Sequence, residues 1–288
     1  MFDGVHAGHR YLLEKLQLRA AEKNLLSGVV TFNPHPQSLL NPDTKLLWLS
    51  NLEDRVQAIQ ELGIDIVTVL TFTPKLPQRS ARDFMSLLKR HLKMQGIMVG
   101  PDFSLGRGRE GNINLLRTLG REMKFSVEVI SPYTINGEVV SSTLIRQALV
   151  QGDMGRVERL MGRYFYLKSK VIIADKRGRV LGFPTANLDI KPQQALPGNG
   201  IYATIVQVDG RQYPSATNIG IRPTFGEGEK RVETHLLNYK GDLYGKEIRV
   251  EFVQKLRDEQ HFPSSEELKI QIEKDVREVE TILAKDFK

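Results

Sequence analysis

The sequence predicts two domains of different architecture, a doubly wound α/β domain followed by an antiparallel β-barrel with a C-terminal helix. Three observations support this division. The chain has 288 residues, which is enough for two domains of ordinary size. Apolar runs alternate with helical stretches in the first half, and after about residue 160 the strand-like segments follow one another directly. The expected domains are residues 1–160 and residues 161–288.

The first half has the rhythm of a parallel sheet with helical connections. Its apolar runs lack polar alternation, which is typical of strands covered on both faces. Ligands bind such sheets outside the carboxyl ends of the strands, so the loops after Phe32, Phe72 and Val99 are the first places to search for a site. The predicted strands are residues 29–32, 64–72, 97–99 and 127–130, and the predicted helices are residues 52–62, 84–92 and 113–123.

The second half contains short strands, with no helical pattern until the end of the chain. This favours a closed or nearly closed antiparallel barrel. Ser264 and Glu267 have the spacing of a capping box at the start of a final helix, whose apolar face is expected to pack on the barrel. The predicted strands are residues 171–173, 201–208, 213–218, 232–237 and 248–253, and the apolar face is Leu268, Ile272, Val276, Val279 and Leu283.

Composition excludes several classes of protein. The chain has no Cys, which excludes disulfides, thiolate zinc sites and cysteine nucleophiles. No apolar run approaches the ~18 residues of a membrane span and no secretory signal is recognisable, so a cytoplasmic protein without a membrane partner is expected. The net charge of +7 divides into +4 for residues 1–160 (20 basic, 16 acidic) and +3 for residues 161–288 (21 basic, 18 acidic). This even spread favours anionic small ligands over nucleic acid.

The chain opens with two histidines at the predicted start of a helix. His6 and His9 are three residues apart and share one face, beside free backbone N–H groups and the positive end of the helix dipole. This arrangement favours a phosphate, and Gly8 lets such a ligand approach the backbone closely. Two surface histidines at a helix cap, or a metal-binding pair, would have the same spacing.

Three further motifs follow in order. Residues 31–36 and 100–103 each follow a predicted strand, and residues 141–146 place an arginine one turn beyond a Ser/Thr helix cap, again a phosphate-binding arrangement. Singly, each motif is explained by an ordinary turn or cap. Together, F-D-G-V-H-x-G-H, T-F-x-P-H-P, G-x-D-F and S-S-T-x-I-R resemble the Rossmann-like nucleotidylyltransferase domain of the bacterial bifunctional riboflavin kinase/FAD synthetase family.

This resemblance implies adenylyl transfer, in which a phosphate oxygen of FMN attacks the α-phosphorus of ATP and diphosphate leaves. The nucleophile is already anionic, so positioning and charge stabilisation are expected to carry the catalysis. By the same resemblance His6 and His9 stabilise the developing charge, and Arg146 grips the phosphates. The other implied residues are Gly8, Ser142 and Thr143 for ATP or phosphate, and Asn33 and Asp102 for flavin or nucleotide.

A second set of motifs lies in the predicted barrel. Glu233 and His235 share one face of a strand, which is unusual if that face is core. A basic, Gly-containing loop before a short polar segment can wrap phosphates with its backbone N–H groups. Barrel turns punctuated by Gly and Pro, with Glu233 on a solvated face, are the alternative interpretation. The runs are R-G-R at 177–179, G-F-P-T-A-N at 182–187, N-I-G-I-R-P-T-F at 218–225 and E-T-H-L-L at 233–237.

These runs, with L-R-x-E-x-x-F-P at residues 256–263, resemble the riboflavin kinase domain of the same family. The implied reaction transfers the ATP γ-phosphoryl group to the terminal hydroxyl of the ribityl chain of riboflavin. A neutral alcohol needs a base, and the resemblance assigns that role to Glu233. Thr185 and Asn187 are the implied ligands of Mg²⁺, which is also expected to bridge the ATP phosphates. The remaining implied contacts are Arg177, Gly178 and Arg179 for phosphate, and Phe183 and Arg257 for substrate, with core packing and an ion pair as equal alternatives for the last two.

Two departures from the family pattern bear on activity. Ser169 and Ala174 stand where the family has glycines that let the backbone approach the nucleotide, so weaker ATP binding by the kinase is expected. The family also carries a β-strand before F-D-G-V-H, whereas only Met1 precedes Phe2 here. Its neighbouring strands are therefore expected to lack ladder partners. We expect either a native start upstream of Met1 or an impaired adenylyltransferase half.

The sequence thus favours a bifunctional enzyme that converts riboflavin to FMN and FMN to FAD, with ATP and Mg²⁺. The nearest rival is a riboflavin kinase whose first domain is inactive. A regulator that binds flavin or nucleotide without turnover is opposed by the joint presence of the implied catalytic residues. A non-specific nucleic-acid binder is opposed by the even distribution of charge.

Overall fold

The computed structural model describes residues 1–40, 46–173, 182–221 and 230–287. The chain forms two compact units, Met1–Ser141 (unit 1) and Ser142–Lys288 (unit 2). The division falls before residue 160, because the helix Met154–Met161 packs on two strands of unit 2. Within the described ranges, no helix is both long enough and apolar enough to cross a membrane.

Unit 1 alternates helices and strands in the predicted order. Four helices begin at a side-chain cap, since His6, Asn51, Ser80 and Asn112 each accept a backbone N–H from the first turn that follows. The helices are α1 (Ala7–Glu22), α2 (Pro36–Leu40), α3 (Leu52–Glu61), α4 (Ala81–Leu92) and α5 (Ile113–Met123). The strands are β1 (Gly28–Asn33), β2 (Ile66–Thr71), β3 (Gly96–Val99), β4 (Ser126–Val129), β5 (Thr134–Ile135) and β6 (Glu138–Val139).

The four longer strands of unit 1 form two parallel pairs, which confirms the predicted parallel pairing. β1 pairs with β2 along its whole length, and β3 pairs with β4 in the same way. In the part of the chain that the structure describes, no strand joins β1 to β3.

Unit 1 has two apolar clusters, one for each strand pair. The first packs α1 and α3 against β1, and the second packs α4 and α5 together with Phe125, which precedes β4. Each of these four helices contributes one buried face, as the helical spacing of apolar residues in the sequence predicts. The buried members are Val5, Leu13, Val29, Ile59 and Ile64 in the first cluster, and Ala81, Met85, Leu88, Leu116, Leu119 and Phe125 in the second.

Unit 2 is a closed six-stranded antiparallel barrel with helices, as predicted. The sequence missed one strand, β8, because it has only three residues and no apolar run. Around the barrel the strand order is β10-β11-β8-β7-β12-β9. The strands are β7 (Phe165–Ile172), β8 (Ala186–Leu188), β9 (Gly200–Val208), β10 (Arg211–Ile221), β11 (Lys230–Leu236) and β12 (Glu247–Arg257), and the helices are α6 (Ser142–Gln151), α7 (Met154–Met161) and α8 (Ser265–Leu283).

The predicted cap of the final helix is confirmed. Ser264 Oγ accepts the N–H of Glu267 at 3.2 Å, and α8 starts at the next residue. Val279 and Leu283 are buried against the barrel. Asp275 on the same face is 4% exposed and pairs with Arg257 of β12, so this face is not purely apolar.

Candidate active sites

The two histidines of the opening motif lie together at the start of α1. His6 is the N-cap of the helix, and its Nδ1 accepts the backbone N–H of His9 at 3.3 Å. Because Nδ1 acts as the acceptor, the neutral ring carries its proton on Nε2. The two imidazoles stack with their centroids 3.7 Å apart. The structure therefore brings the two predicted histidines into direct contact with each other beside Gly8.

Burial sets the protonation state of His9. It lowers the pKa of the His9 imidazole well below its usual range, and the neighbouring His6 lowers it further. Nδ1 of His9 is buried, and no described residue forms a hydrogen bond with it. The ring is thus neutral at pH 7. A phosphate beside it would supply the negative charge that the apolar surroundings lack.

Gly8 lies in a closely packed position at the helix start. A Cβ at this position would lie 3.3 Å from Cε1 and Nδ1 of His6 and 3.3 Å from the carbonyl oxygen of Val140. Val140 directly precedes the predicted S-S-T-x-I-R motif, and it is 6% exposed. The opening motif therefore lies against the chain segment that leads into that motif.

An anchor that sequence reasoning missed lies one turn earlier. The Asp3 carboxylate is buried and accepts the backbone N–H groups of Leu49 at 3.0 Å and Ser50 at 3.1 Å. Ser50 Oγ in turn accepts the N–H of Gly4 at 3.0 Å. Gly4 has φ +76°, and a Cβ there would lie 2.9 Å from Leu49 Cβ. The D-G pair before H-x-G-H was the available signal for this turn.

The two predicted flavin or nucleotide contacts of unit 1 lie at strand ends. Asn33 is the exposed last residue of β1, and Asp102 is exposed in the turn three residues after β3. Both positions are at carboxyl ends of parallel strands, where ligands of such sheets bind. Arg55 of α3 approaches the end of β1, with its Nη1 3.4 Å from Thr31 Oγ1 and Phe32 O. It is 4% exposed and was not predicted.

A second unpredicted feature is the loop after Asp102. Glu110 Oε1 accepts the N–H of Ala81 at 2.9 Å and so caps α4 from outside. Gly106 and Gly111 let the loop approach Ala81, because a Cβ on either would lie 2.7 Å from an Ala81 atom. The density of glycine in this segment was the signal for a close backbone approach.

The S-S-T-x-I-R motif starts a helix, as predicted. α6 begins at Ser142, with Thr143 exposed in its first turn and Arg146 half-buried one turn on. This helix belongs to unit 2. Contact of Ser142, Thr143 and Arg146 with phosphate stays a prediction.

The kinase motifs of unit 2 meet on the outer face of the barrel. Glu233 of β11 pairs with Asn187 of β8, so the predicted base lies directly beside a predicted metal ligand. Thr185 lies two residues before Asn187, and both are half-buried around the buried Ala186. Thr185, Asn187 and Glu233 therefore present a hydroxyl, a carboxamide and a carboxylate to one region.

His235 holds this segment in place. Its Nδ1 lies 2.8 Å from the carbonyl oxygen of Pro184, and its ring meets the Phe183 ring edge-on at 5.5 Å. Since a carbonyl oxygen only accepts, Nδ1 carries the proton. Phe183 was predicted as a substrate contact, and here it packs on His235. The sequence placed His235 on the face of Glu233 and gave it no role.

Arg257 has a strong protein partner. Its guanidinium bonds to both carboxylate oxygens of Asp275, with Nη2 2.7 Å and Nε 2.9 Å from them, and it lies 5.7 Å from the Phe262 ring. The ion pair that the sequence left open as an alternative thus exists, between β12 and α8. Contact of Arg257 with the flavin stays a prediction. The predicted phosphate contacts Arg177, Gly178 and Arg179 lie outside the described residues.

The first departure from the family glycines has a visible consequence. The Ser169 hydroxyl on β7 donates to the carbonyl oxygen of Asp189 at 2.6 Å. It therefore ties β7 to the residue after β8. Ala174, the second departure, lies outside the described residues.

The oxygen donors on the barrel fit a hard cation. Hydroxyl and carboxamide oxygens are suited to Mg²⁺, which keeps several waters and substrate phosphates among its ligands. Over the described ranges, no group of three His, Asp or Glu side chains could hold a metal.

The geometry describes a protein of two units, with paired histidines at a helix start in one unit and, in the other, a barrel that carries a carboxylate beside hydroxyl and carboxamide oxygens. Residues 1–144 match the family model described as FAD synthetase, and residues 161–283 match the one described as riboflavin kinase. The chain belongs to the bifunctional riboflavin kinase/FMN adenylyltransferase family.

Individual relatives agree with this assignment. The bifunctional riboflavin kinase/FMN adenylyltransferase of Escherichia coli (strain K12) is 38% identical over 276 residues, covering 95% of this chain and 88% of the relative. Its counterpart in Pseudomonas fluorescens is 39% identical over 285 residues, covering 98% and 91%. A solved structure from Streptococcus pneumoniae, named as a macrolide-efflux protein, has a TM-score of 0.87 at 26% identity and covers 95% of this chain and 90% of its own.

Proposed function

We propose that this chain makes FAD from riboflavin in two steps. The C-terminal domain (residues 161–288) phosphorylates riboflavin with ATP to give FMN and ADP, and the N-terminal domain (residues 1–160) joins FMN to the adenylyl group of a second ATP to give FAD and diphosphate. Membership of the family and matches to both of its domain models support the two activities. The observation that carries the kinase assignment is the pairing of Glu233 with Asn187 on the outer face of the barrel.

In the kinase step the terminal ribityl hydroxyl attacks the γ-phosphorus of ATP, and ADP leaves. Glu233 accepts the proton that this hydroxyl releases. Thr185 and Asn187 would hold Mg²⁺, which would supply positive charge to offset that of the ATP phosphates. His235 keeps the segment with Thr185 in register with Glu233 through the carbonyl of Pro184.

In the adenylyl step a phosphate oxygen of FMN attacks the α-phosphorus of ATP, and the bond to diphosphate breaks. No proton has to be removed from the nucleophile, so the site mainly stabilises charge. Nε2 of His6 can donate a hydrogen bond, because Nδ1 of the same ring is committed to the helix cap. His9 and the N–H groups at the start of α1 add donors at the same place. Arg146 and the first-turn hydroxyls of α6 are the further proposed phosphate contacts, and Asn33 and Asp102 are the proposed flavin or nucleotide contacts.

A time course of flavins tests this proposal. The full chain is incubated with riboflavin, ATP and MgCl₂, and the flavins are separated chromatographically. FMN is expected first, followed by FAD as FMN accumulates. FMN without FAD, also when FMN is added directly, would assign this chain to the riboflavin kinase reaction alone. The absence of both products would contradict the proposal.

A further inference from the structure

Asn218, the first residue of the N-I-G-I-R-P-T-F run, was given no role by the sequence, and the structure places it beside the proposed base of the kinase site. On the barrel, Asn218 of β10 pairs with Glu233 of β11, which pairs with Asn187 of β8. The three polar side chains are therefore consecutive members of one row across three strands, on the face opposite the buried Thr217 and Thr234. Strands lie about 4.8 Å apart, so Asn218 is an immediate neighbour of the proposed base.

The carboxamide oxygen of Asn218 lacks a hydrogen-bond donor among the described residues. Oδ1 is buried, and no described residue donates a hydrogen bond to it. Buried acceptors are nearly always satisfied, and each exception calls for an explanation. The surroundings offer none within the barrel wall, since the neighbour on the other side in the row is Ile201 of β9. An acceptor that a strand holds beside the base is suited to a hydrogen-bond donor on a bound substrate.

The chemistry of the substrate supplies such a donor. Glu233 must come within hydrogen-bond reach of the hydroxyl that it deprotonates. The terminal hydroxyl of the ribityl chain is therefore already bonded to Glu233. The ribityl chain is a polyol, and its next hydroxyl, on the 4′ carbon, is attached to the adjacent carbon atom. A group one strand away from the base is placed for this second hydroxyl. ATP, by contrast, must direct its γ-phosphoryl group towards the reacting hydroxyl.

We propose that Asn218 is a specificity-determining residue whose Oδ1 accepts a hydrogen bond from the 4′-hydroxyl of riboflavin. This inference rests on the proposed kinase function of unit 2. Asn218 then fixes the polyol so that its terminal hydroxyl faces Glu233. A substrate without the 4′-hydroxyl leaves Oδ1 buried and unsatisfied, and the site discriminates against it.

The test is a double-perturbation cycle on the full chain. The kcat/KM of the kinase step is measured for wild type and Asn218→Ala, each with riboflavin and with an analogue that lacks only the 4′-hydroxyl. Wild type is expected to lose about 10-fold on the analogue, and Asn218→Ala about 10-fold on riboflavin, with no further loss on the analogue. The KM for ATP is expected to stay unchanged. Gln212→Ala, an exposed carboxamide on the same face of β10, is the matched control and is expected to behave as wild type.

Each other outcome has a definite meaning. Equal discrimination by wild type and Asn218→Ala would overturn the inference, and so would a loss confined to the KM for ATP. If Asn218→Ala does not fold, Asn218→Ser takes its place, and it is expected to lose discrimination because its shorter hydroxyl cannot reach the polyol. A wild-type chain that makes no FMN would refute the proposed function itself. If the wild type is active, and both Asn218→Ala and Asn218→Ser discriminate against the analogue as strongly as the wild type does, the role of Asn218 alone is refuted.

Discussion

The imidazole of His235 holds the carbonyl of Pro184 at 2.8 Å, across 51 residues of sequence. This bond joins the strand of the proposed base to the segment of the proposed metal ligands. His235→Ala is expected to lower kcat/KM of the kinase step about 10-fold, because the segment with Thr185 loses its fixed position. The initial rate of FMN formation measures this loss.

Conservative variants separate positioning from simple folding effects. His235→Asn places an amide N–H near the position of Nδ1 and is expected to restore most of the activity. His235→Gln places its amide N–H near the position of Nε2 instead, so it is not expected to restore the activity. His261→Ala removes an exposed imidazole and should leave the rate unchanged. Equal activity of the Asn and Gln variants would contradict the role of the Pro184 bond.

The Arg257–Asp275 ion pair is expected to matter for stability. The side chains are 16% and 5% exposed, so removing one partner leaves a largely buried charge. Asp275→Leu is expected to cost about 3–5 kcal/mol of unfolding free energy, whereas the double change with Arg257→Leu is expected to cost much less. Urea unfolding of the three variants measures the difference. A double variant as unstable as the worse single one would contradict a pairwise interaction.

The buried carboxylate of Asp3 is expected to support the adenylyltransferase site. Asp3→Ala removes the acceptor for two backbone N–H groups, of Leu49 and Ser50, and is expected to cost about 2–3 kcal/mol. FAD formation from added FMN should fall, and FMN formation from riboflavin should not. Glu14→Ala, which changes an exposed carboxylate of α1, is the control. A fall in both activities alike would show that the anchor does not act locally.

The lowered pKa of His9 predicts a pH dependence of stability. The unfolded chain titrates this imidazole near its ordinary pKa of about 6.5, whereas the folded chain protonates it only at lower pH. Between these two pKa values the unfolded state binds more protons than the folded state. The contribution of the neutral His9 to the free energy of unfolding is therefore complete above about pH 6.5 and is lost as the pH falls below that value. Wild type should therefore show a steeper acid loss of stability than His9→Gln. Parallel curves would contradict burial as the cause.

The elements could be predicted wherever a residue pattern reports burial directly. α5 was predicted at its observed bounds because Leu116 and Leu119 recur at helical spacing. β1 was predicted to within one residue at each end, because its apolar run marks a strand of a parallel pair. β8 was missed, since three residues carry no periodicity. The burial of Asp275 was not predicted. A carboxylate can be buried on an apolar helix face only when it has a partner, and its partner Arg257 lies 18 residues away in the sequence.

The sites were predicted as motifs, but their internal contacts were not. Glu233 and Asn187 could be named from the sequence, whereas their pairing depends on strand register, which the local sequence does not state. The same register brings Asn218 beside Glu233. His235 could be placed on the face of Glu233, but its bond to Pro184 depends on how β11 meets a loop far away in sequence.

The central claim is that one chain carries two separable sites for two consecutive reactions. The most direct test measures both rates in His9→Ala and Glu233→Gln, with FMN formation followed from riboflavin and FAD formation followed from added FMN. His9→Ala is expected to lower FAD formation about 100-fold or more and to leave FMN formation unchanged, and Glu233→Gln is expected to do the reverse. Equal loss of both activities in both variants would contradict the division of function between the two units.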